Sequence, residues 1–173
     1  NISTHGVLGY ALMSSATIGD VLKLLLQYHR MLMPSRCLSL DQQQQQVALV
    51  CHPVHIDESL ERFMVEAFYA AVVTSGHFLL GETIIDIELE LDYPEPDYLA
   101  SYQAVFGQAI NFNCQRRQMS FQRDTLNLPL STANPAVATI FREQCNSLLN
   151  TLGRQAPVSG RVQQILLFRS GDF

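Results

Sequence analysis

The stretch from Gly6 to Arg30 carries the densest apolar pattern in the chain and its clearest start signal, so it constrains the fold more than any other. It reads as an apolar lead-in followed by a helix beginning near Ile18. Thr17 has the hydroxyl of a good N-cap, and Asp20, three residues on, forms a short-armed capping box whose charge suits the positive end of the helix dipole. Val21, Leu22, Leu25, Met31 and Leu32 follow a helical repeat, and Leu24 and Leu26 widen the stripe, so the helix should be covered on most sides. Lys23, Gln27 and Arg30 offer its evident wet face. Tyr28 and His29 are then the polar groups expected at the edge of the core, and Pro34 stops the helix.

The rest of the chain alternates short strands with helices. Residues 36–40 and 47–54 read as a hairpin, with Asp41 and Gln42 to Gln46 as its wet end. Asp57 caps a second helix running to about Leu80 before Gly81, with Leu60, Phe63, Met64, Ala67, Phe68, Ala71 and Val72 as its core face. Its small residues, Ala67, Ala70, Ala71, Ser75 and Gly76, would admit another backbone, from a sheet or a second subunit. Thr83 to Asp92 alternates Ile85, Ile87, Leu89 and Leu91 with Asp86, Glu88, Glu90 and Asp92, the pattern of a half-buried strand. The carboxylates form a row on its wet face, with no basic partner nearby in sequence.

Beyond Pro94 and Pro96, Asp97 caps a short helix closed by Gly107. Strands at 109–113 and 118–123 pair around the polar turn Gln115-Arg116-Arg117, and Leu126 to Leu130 finishes the sheet region. Asn134 before Pro135 starts a helix over 136–152. Residues 153–157 form a linker, and 158–169 a last amphipathic helix that needs a partner for Val162, Ile165, Leu166 and Phe168. Tight turns between short strands, with helices bringing separate apolar faces, predict a single α+β domain in which helices pack on a mostly antiparallel sheet.

Composition narrows the function. With 173 residues, 47% apolar and 16% charged, the chain has enough material for one substantial core. No apolar run is read as approaching the roughly 20 residues of a spanning helix, and the first residues lack the basic and apolar regions of a signal peptide, so a cytoplasmic setting without membrane contact is expected. The absent initiator Met and the ending at Ser170-Gly-Asp-Phe173 point to a piece of a longer chain. A net charge of -5, with 11 Lys and Arg, lacks the basic footprint that neutralises phosphates.

The four cysteines, Cys37, Cys51, Cys114 and Cys145, are far apart and read as small core residues. Cys51, His52 and His55 are the nearest approach to a metal cluster, but strand positions three apart face opposite ways, and no metal or cofactor is expected. His77 sits where it favours a helix dipole. No nucleophile elbow, phosphate loop, zinc-protease helix or dinucleotide fingerprint occurs, so no catalytic residue is assigned.

The order Gly-x-Leu-Gly-Tyr-Ala-Leu from Gly6, Ser14-Ser-x-Thr17 opening a helix, and Tyr28-His-Arg30 near its end resembles the amino-terminal effector domain of AraC/XylS-type transcription regulators, the arabinose-binding subgroup. Three further matches follow in order. They are Tyr98-Leu-Ala-Ser-Tyr102 through Phe106-Gly107, Leu128-Pro-Leu-Ser-Thr-Ala-Asn-Pro135, and Arg161-Val-Gln-Gln-Ile-Leu-Leu167. The resemblance implies an effector-sensing domain over 1–153 and a linker helix over 154–173, leading to a carboxyl-terminal helix-turn-helix domain absent from this chain. Regulators of this kind work as homodimers and reach DNA through that domain.

A small organic molecule or a nucleotide-like signal is the expected effector, bound between sheet and helices. Its candidate lining residues are Tyr10, Tyr28, His29, Tyr102 and Phe106, aromatic and polar groups on elements expected to face one core. Two other classes compete: a stand-alone small-molecule-binding or carrier domain, and an enzyme.

Overall fold

The computed structural model describes residues 6–33, 37–81 and 85–155. The Pro34 stop, residue 36 of the first strand, Thr83 and Ile84 of the alternating strand, and the last helix at 158–169 lie outside the described residues. Within them the chain forms the expected α+β domain.

The apolar lead-in is itself a helix, α1, Gly6–Met13. Leu8, Ala11 and Leu12 are buried, and the Ser14 and Ser15 hydroxyls both donate to the Ala11 carbonyl, at 3.2 and 3.0 Å, satisfying its open end. The chain then turns into α2, Ile18–Leu32, whose start follows the sequence signal: Thr17 Oγ1 accepts from Asp20 N at 3.2 Å. Asp20 reaches back to the Thr17 hydroxyl, at 3.1 Å. Lys23 and Gln27 are exposed while Val21, Leu22, Leu24, Tyr28 and His29 are buried. This helix serves two clusters, with Ile18 and Leu22 in the sheet core and Val21, Leu24 and Tyr28 in a second core against α1.

Strands β1, Leu38–Gln42, and β2, Gln46–Cys51, form the expected hairpin, with Leu38 opposite Cys51 and Gln42 opposite Val47. The glutamine run is its turn, where Gln43 N donates to Gln46 O at 2.9 Å. Helix α3, Glu58–Leu80, is capped by Asp57, whose carboxylate accepts from the Ser59 and Leu60 amides, and ends at Gly81 with φ +62°.

Two expectations about α3 are corrected. Its most apolar window has a mean hydropathy of 1.4, so by length and composition it could cross a membrane, contrary to the reading that no run approaches that size. In the fold, Val65, Phe68, Tyr69 and Val73 belong to the sheet core. The expected core face is also displaced: Leu60, Phe63, Ala67 and Ala71 are exposed, and Glu61, Val65, Tyr69 and Val73 are buried instead.

Strand β3, Ile87–Glu90, is shorter than the alternating pattern. It is followed by α4, Leu99–Phe106, β4, Ile110–Asn111, and β5, Gln118–Gln122. Tyr98, not Asp97, occupies the N-cap of α4, with no side-chain cap bond; Gly107 closes it at φ +81°.

The sheet order is β1-β2-β5-β3-β4. Residues 109–113 and 118–123, expected to pair with each other, do not. β3 lies between them, antiparallel to β5 with Leu89 opposite Met119, and parallel to β4 with Leu89 opposite Ile110. The reason is the α4 crossover, which returns the chain in the same direction as β3 and delivers β4 to its free edge.

After β5 a 3-10 turn over Arg123–Asn127 leads to Leu128–Leu130, which joins the entrance of α2, not the sheet. Ile18 N donates to Leu128 O at 3.1 Å and Leu130 N to Ala16 O at 3.0 Å. Gly19 allows this approach, because a Cβ there would meet the Leu126 carbonyl oxygen at 3.0 Å. Finally α5, Pro135–Gln155, starts with Asn134 Oδ1 accepting from Val137 N, and runs through three residues of the expected linker. It packs on α1 and α2 through Phe141, Cys145 and Leu149.

Candidate effector groove

A groove of about 990 Å³ opens where α3 leaves the sheet. Its floor is the sheet core, with Met119 and Phe121 on β5 and Ile87 on β3. One wall comes from α2 through Leu22 and Leu25, and another from the end of α4 through Val105 and Phe106. Helix α3 supplies a long side, including the exposed Phe63, Ala67 and Ala71, and Leu12, Ile85, Asp86, residues 107–109 and Thr125 complete the lining. Within this chain the small residues of α3 leave space along the groove. At Gly76 a built Cβ would meet nothing within 4 Å.

Two polar networks hold these walls. Between α3 and α4, Glu66 accepts from Arg62 Nε at 3.0 Å, Tyr98 OH at 3.1 Å and Tyr102 OH at 2.6 Å, and the Tyr102 and Tyr93 hydroxyls are 3.1 Å apart. Burial pushes the Tyr93 phenol up to about 12 despite the Tyr102 hydrogen bond, and burial with the Glu66 bond pushes Tyr102 up as well. Arg62 Nη2 is buried without a hydrogen-bond partner, but the guanidinium lies over the Tyr93 ring, 4.7 Å from its centroid, where the π face receives its charge.

On the sheet side of the same amino-terminal part of α3, Arg117 bonds Glu61 and also Asp92 at 2.5 Å. Burial alone would lower the Arg117 pKa, and the two carboxylates raise it overall. The carboxylate row of β3 thus has partners that the sequence did not disclose: Asp92 pairs with Arg117, Glu90 accepts from Gln118 and Glu88 from Asn111.

The five residues singled out from the sequence are not brought together. Phe106 is a wall of the groove. Tyr102, one turn earlier, is buried in the Glu66 network and packs on Phe106 with ring centroids 5.7 Å apart. Tyr28 and His29 lie on the part of α2 that turns from the groove toward α5: Tyr28 OH bonds Asn146 Oδ1 at 2.5 Å, and His29 Nδ1 lies 2.7 Å from the Leu26 carbonyl. Burial raises the Tyr28 pKa. Tyr10 is 47% exposed and stacks on Phe141 at 5.2 Å. Among the described residues no group of three or more His, Cys, Asp or Glu side chains is placed to hold a metal ion.

The helix–sheet arrangement around this groove has relatives. Residues 1–130 match the family model for the amino-terminal arabinose-binding domain of AraC transcription regulators. The chain belongs to that family.

This AraC-type domain is 34% identical, over 176 aligned positions, to the ornithine utilization regulator of Pseudomonas aeruginosa. That alignment takes in all of this chain and 51% of the regulator, so the chain spans about half the length of the curated relative. The fold resembles the crystal structure of the transcriptional regulator CdpR from Pseudomonas aeruginosa, with a TM-score of 0.68 and 20% identity over 91% of this chain and 57% of that one. The matched range of the AraC-type model holds every groove-lining residue, from Leu12 to Thr125, whereas α5 begins beyond it.

Proposed function

We propose that this domain senses a small-molecule effector in the α2–α3–α4 groove and forms a homodimer. In this reading it controls a helix-turn-helix domain carboxyl-terminal to it, with residues 1–153 as the sensing unit and 154–173 as the connecting helix. The groove carries the reading. Its volume lies within the roughly 300–1,000 Å³ of small-molecule sites, and it is bounded by elements that the family model covers. Phe106 is the contact residue retained from the sequence, with Tyr102 positioning it; Tyr10, Tyr28 and His29 act in packing between α1, α2 and α5.

Such a domain works in the cytoplasm and needs no catalytic residue. The net charge of -5 leaves DNA contact to the other domain. Helix α2 gives the groove a physical link to α5, because Leu22 and Leu25 wall the groove while Tyr28, on the same helix, is bonded to Asn146 of α5.

A thermal-shift screen of a metabolite library tests the sensing role. A ligand present at about 100 times its Kd should add roughly 2.7 kcal/mol of stability. A hit whose shift persists unchanged in Ala71→Trp, which fills the groove, sinks the placement. Sedimentation of the full-length regulator tests the dimer, and a monomer at high concentration counts against it.

A further inference from the structure

Taking the groove as the effector site, we infer that its ligand is a molecule with a contiguous hydrocarbon body and at most one polar end, and not a free amino acid or a sugar. The distribution of polarity over the groove carries this. Leu22, Phe68, Phe106, Met119 and Phe121 line it and are all buried, so the deep surface is hydrocarbon and aromatic. Of the lining polar side chains, His77, Asp86 and Gln108 are exposed, as groups at a mouth would be, Ser75 and Gln103 are half-buried, and Thr125 is the one that is buried. Among the described residues no Lys or Arg lines the groove.

A free amino acid brings a carboxylate that demands an Arg, a Lys or convergent amides. Burying it unpaired disfavours binding far more than its short side chain could recover. A sugar brings several hydroxyls, each losing water on entry, to a lining whose one buried polar side chain is Thr125. An acyl or alkyl-aromatic body gains from every apolar area it covers, and its single polar end stays wet at the rim. Met64 and Met119, unbranched and polarizable, adapt such a wall to chains of differing shape.

The test is binding of the neutral fluorescent probe N-phenyl-1-naphthylamine to the full chain, with decanol, L-ornithine and L-arabinose as competitors. It is run on the wild type and on Ala67→Trp and Ala71→Trp, two exposed positions of α3 where a bulky side chain fills the groove without entering the core. Circular dichroism and Tm confirm that each variant is folded. The expected result is a saturable rise in emission, displaced by decanol but not by ornithine or arabinose, with affinity at least tenfold weaker in at least one folded tryptophan variant.

Ornithine or arabinose binding that the tryptophan variants abolish would overturn the ligand class while leaving the groove as the effector site. Probe binding unchanged in both folded variants would overturn the site itself. Absence of saturable binding by the probe and by decanol would overturn the ligand class as well.

Discussion

Replacing Glu61 probes the joint that sets the amino-terminal end of α3 against the sheet. Arg117 and Glu61 are 11% and 6% exposed, and Arg117 is shared with Asp92 at 27% exposure. Glu61 also accepts from the Val54 amide at 3.2 Å. Breaking a buried ion pair by removing one partner typically costs about 3–5 kcal/mol, because the survivor is left uncompensated. In Glu61→Leu the survivor is Arg117, which keeps Asp92. The loss then reduces to one charge-assisted hydrogen bond, about 1.5–3 kcal/mol, and a half-buried amide bond, about 1 kcal/mol, giving roughly 3 kcal/mol.

In Arg117→Met the survivors are two carboxylates, one of them deeply buried, and the full penalty of about 3–5 kcal/mol applies. The double variant leaves only Asp92 unpaired, near solvent, so its loss should fall short of the sum of the single losses by more than about 1.5 kcal/mol. Urea denaturation followed by circular dichroism measures all three. Additivity within about 0.5 kcal/mol would refute the claim that these charges act as a unit.

Two glycines should respond with opposite signs. Gly19→Ala should destabilise by about 1–3 kcal/mol, since its Cβ would press on the Leu126 carbonyl oxygen at 3.0 Å, whereas Gly76→Ala, inside α3 with open space around it, should stabilise by about 0.5–1 kcal/mol; a shift of the same sign in both would contradict the packing described. Raised tyrosine pKa values predict alkaline instability. For Tyr93, pushed up to about 12, the fold favours the neutral phenol, so this contribution is complete below the ordinary pKa of about 10 and is lost as pH rises through about 12. With no tryptophan in the chain, tyrosinate absorbance reads this directly, and full ionisation near pH 10 with native circular dichroism would contradict the burial of Tyr69, Tyr93 and Tyr102.

Three of the four expected caps, all but Asp97, and the class of fold were legible because their causes are local. Thr17, Asp57 and Asn134 each offer a side-chain oxygen to an amide two or three residues on, and the helix starts they imply are where the helices start. Strand pairing was less legible. Residues 109–113 and 118–123 are separated by a polar turn that suits a hairpin, yet β3 outcompetes by presenting Leu89 and Ile87 to Met119 and Phe121, a longer apolar match than two-residue β4 offers. That competition is between segments far apart in sequence, and no local pattern ranks them. The Arg117 network was hidden for the same reason, since Glu61, Asp92 and Arg117 meet only once α3, β3 and β5 are in place.

The groove was the least legible feature, and α3 shows why. Periodicity identifies which side of a helix is buried only when the other side is polar. Helix α3 is apolar nearly all round from Phe63 to Leu80, so the pattern Leu60, Phe63, Met64, Ala67, Phe68, Ala71 fits a core face as well as the true one, Val65, Phe68, Tyr69, Val73. Yet a helix that is hydrophobic on every side while packing the core with one of them has apolar surface left over. Such surplus apolar surface marks a place for a partner, a ligand or a bilayer. The small side chains Ala67, Ala71, Ser75 and Gly76 fall on that surplus surface, and their missing volume makes room for the groove against α2 and α4. The sequence therefore disclosed the surplus without locating it; the location depends on Phe106 and Leu22, which arrive from other elements.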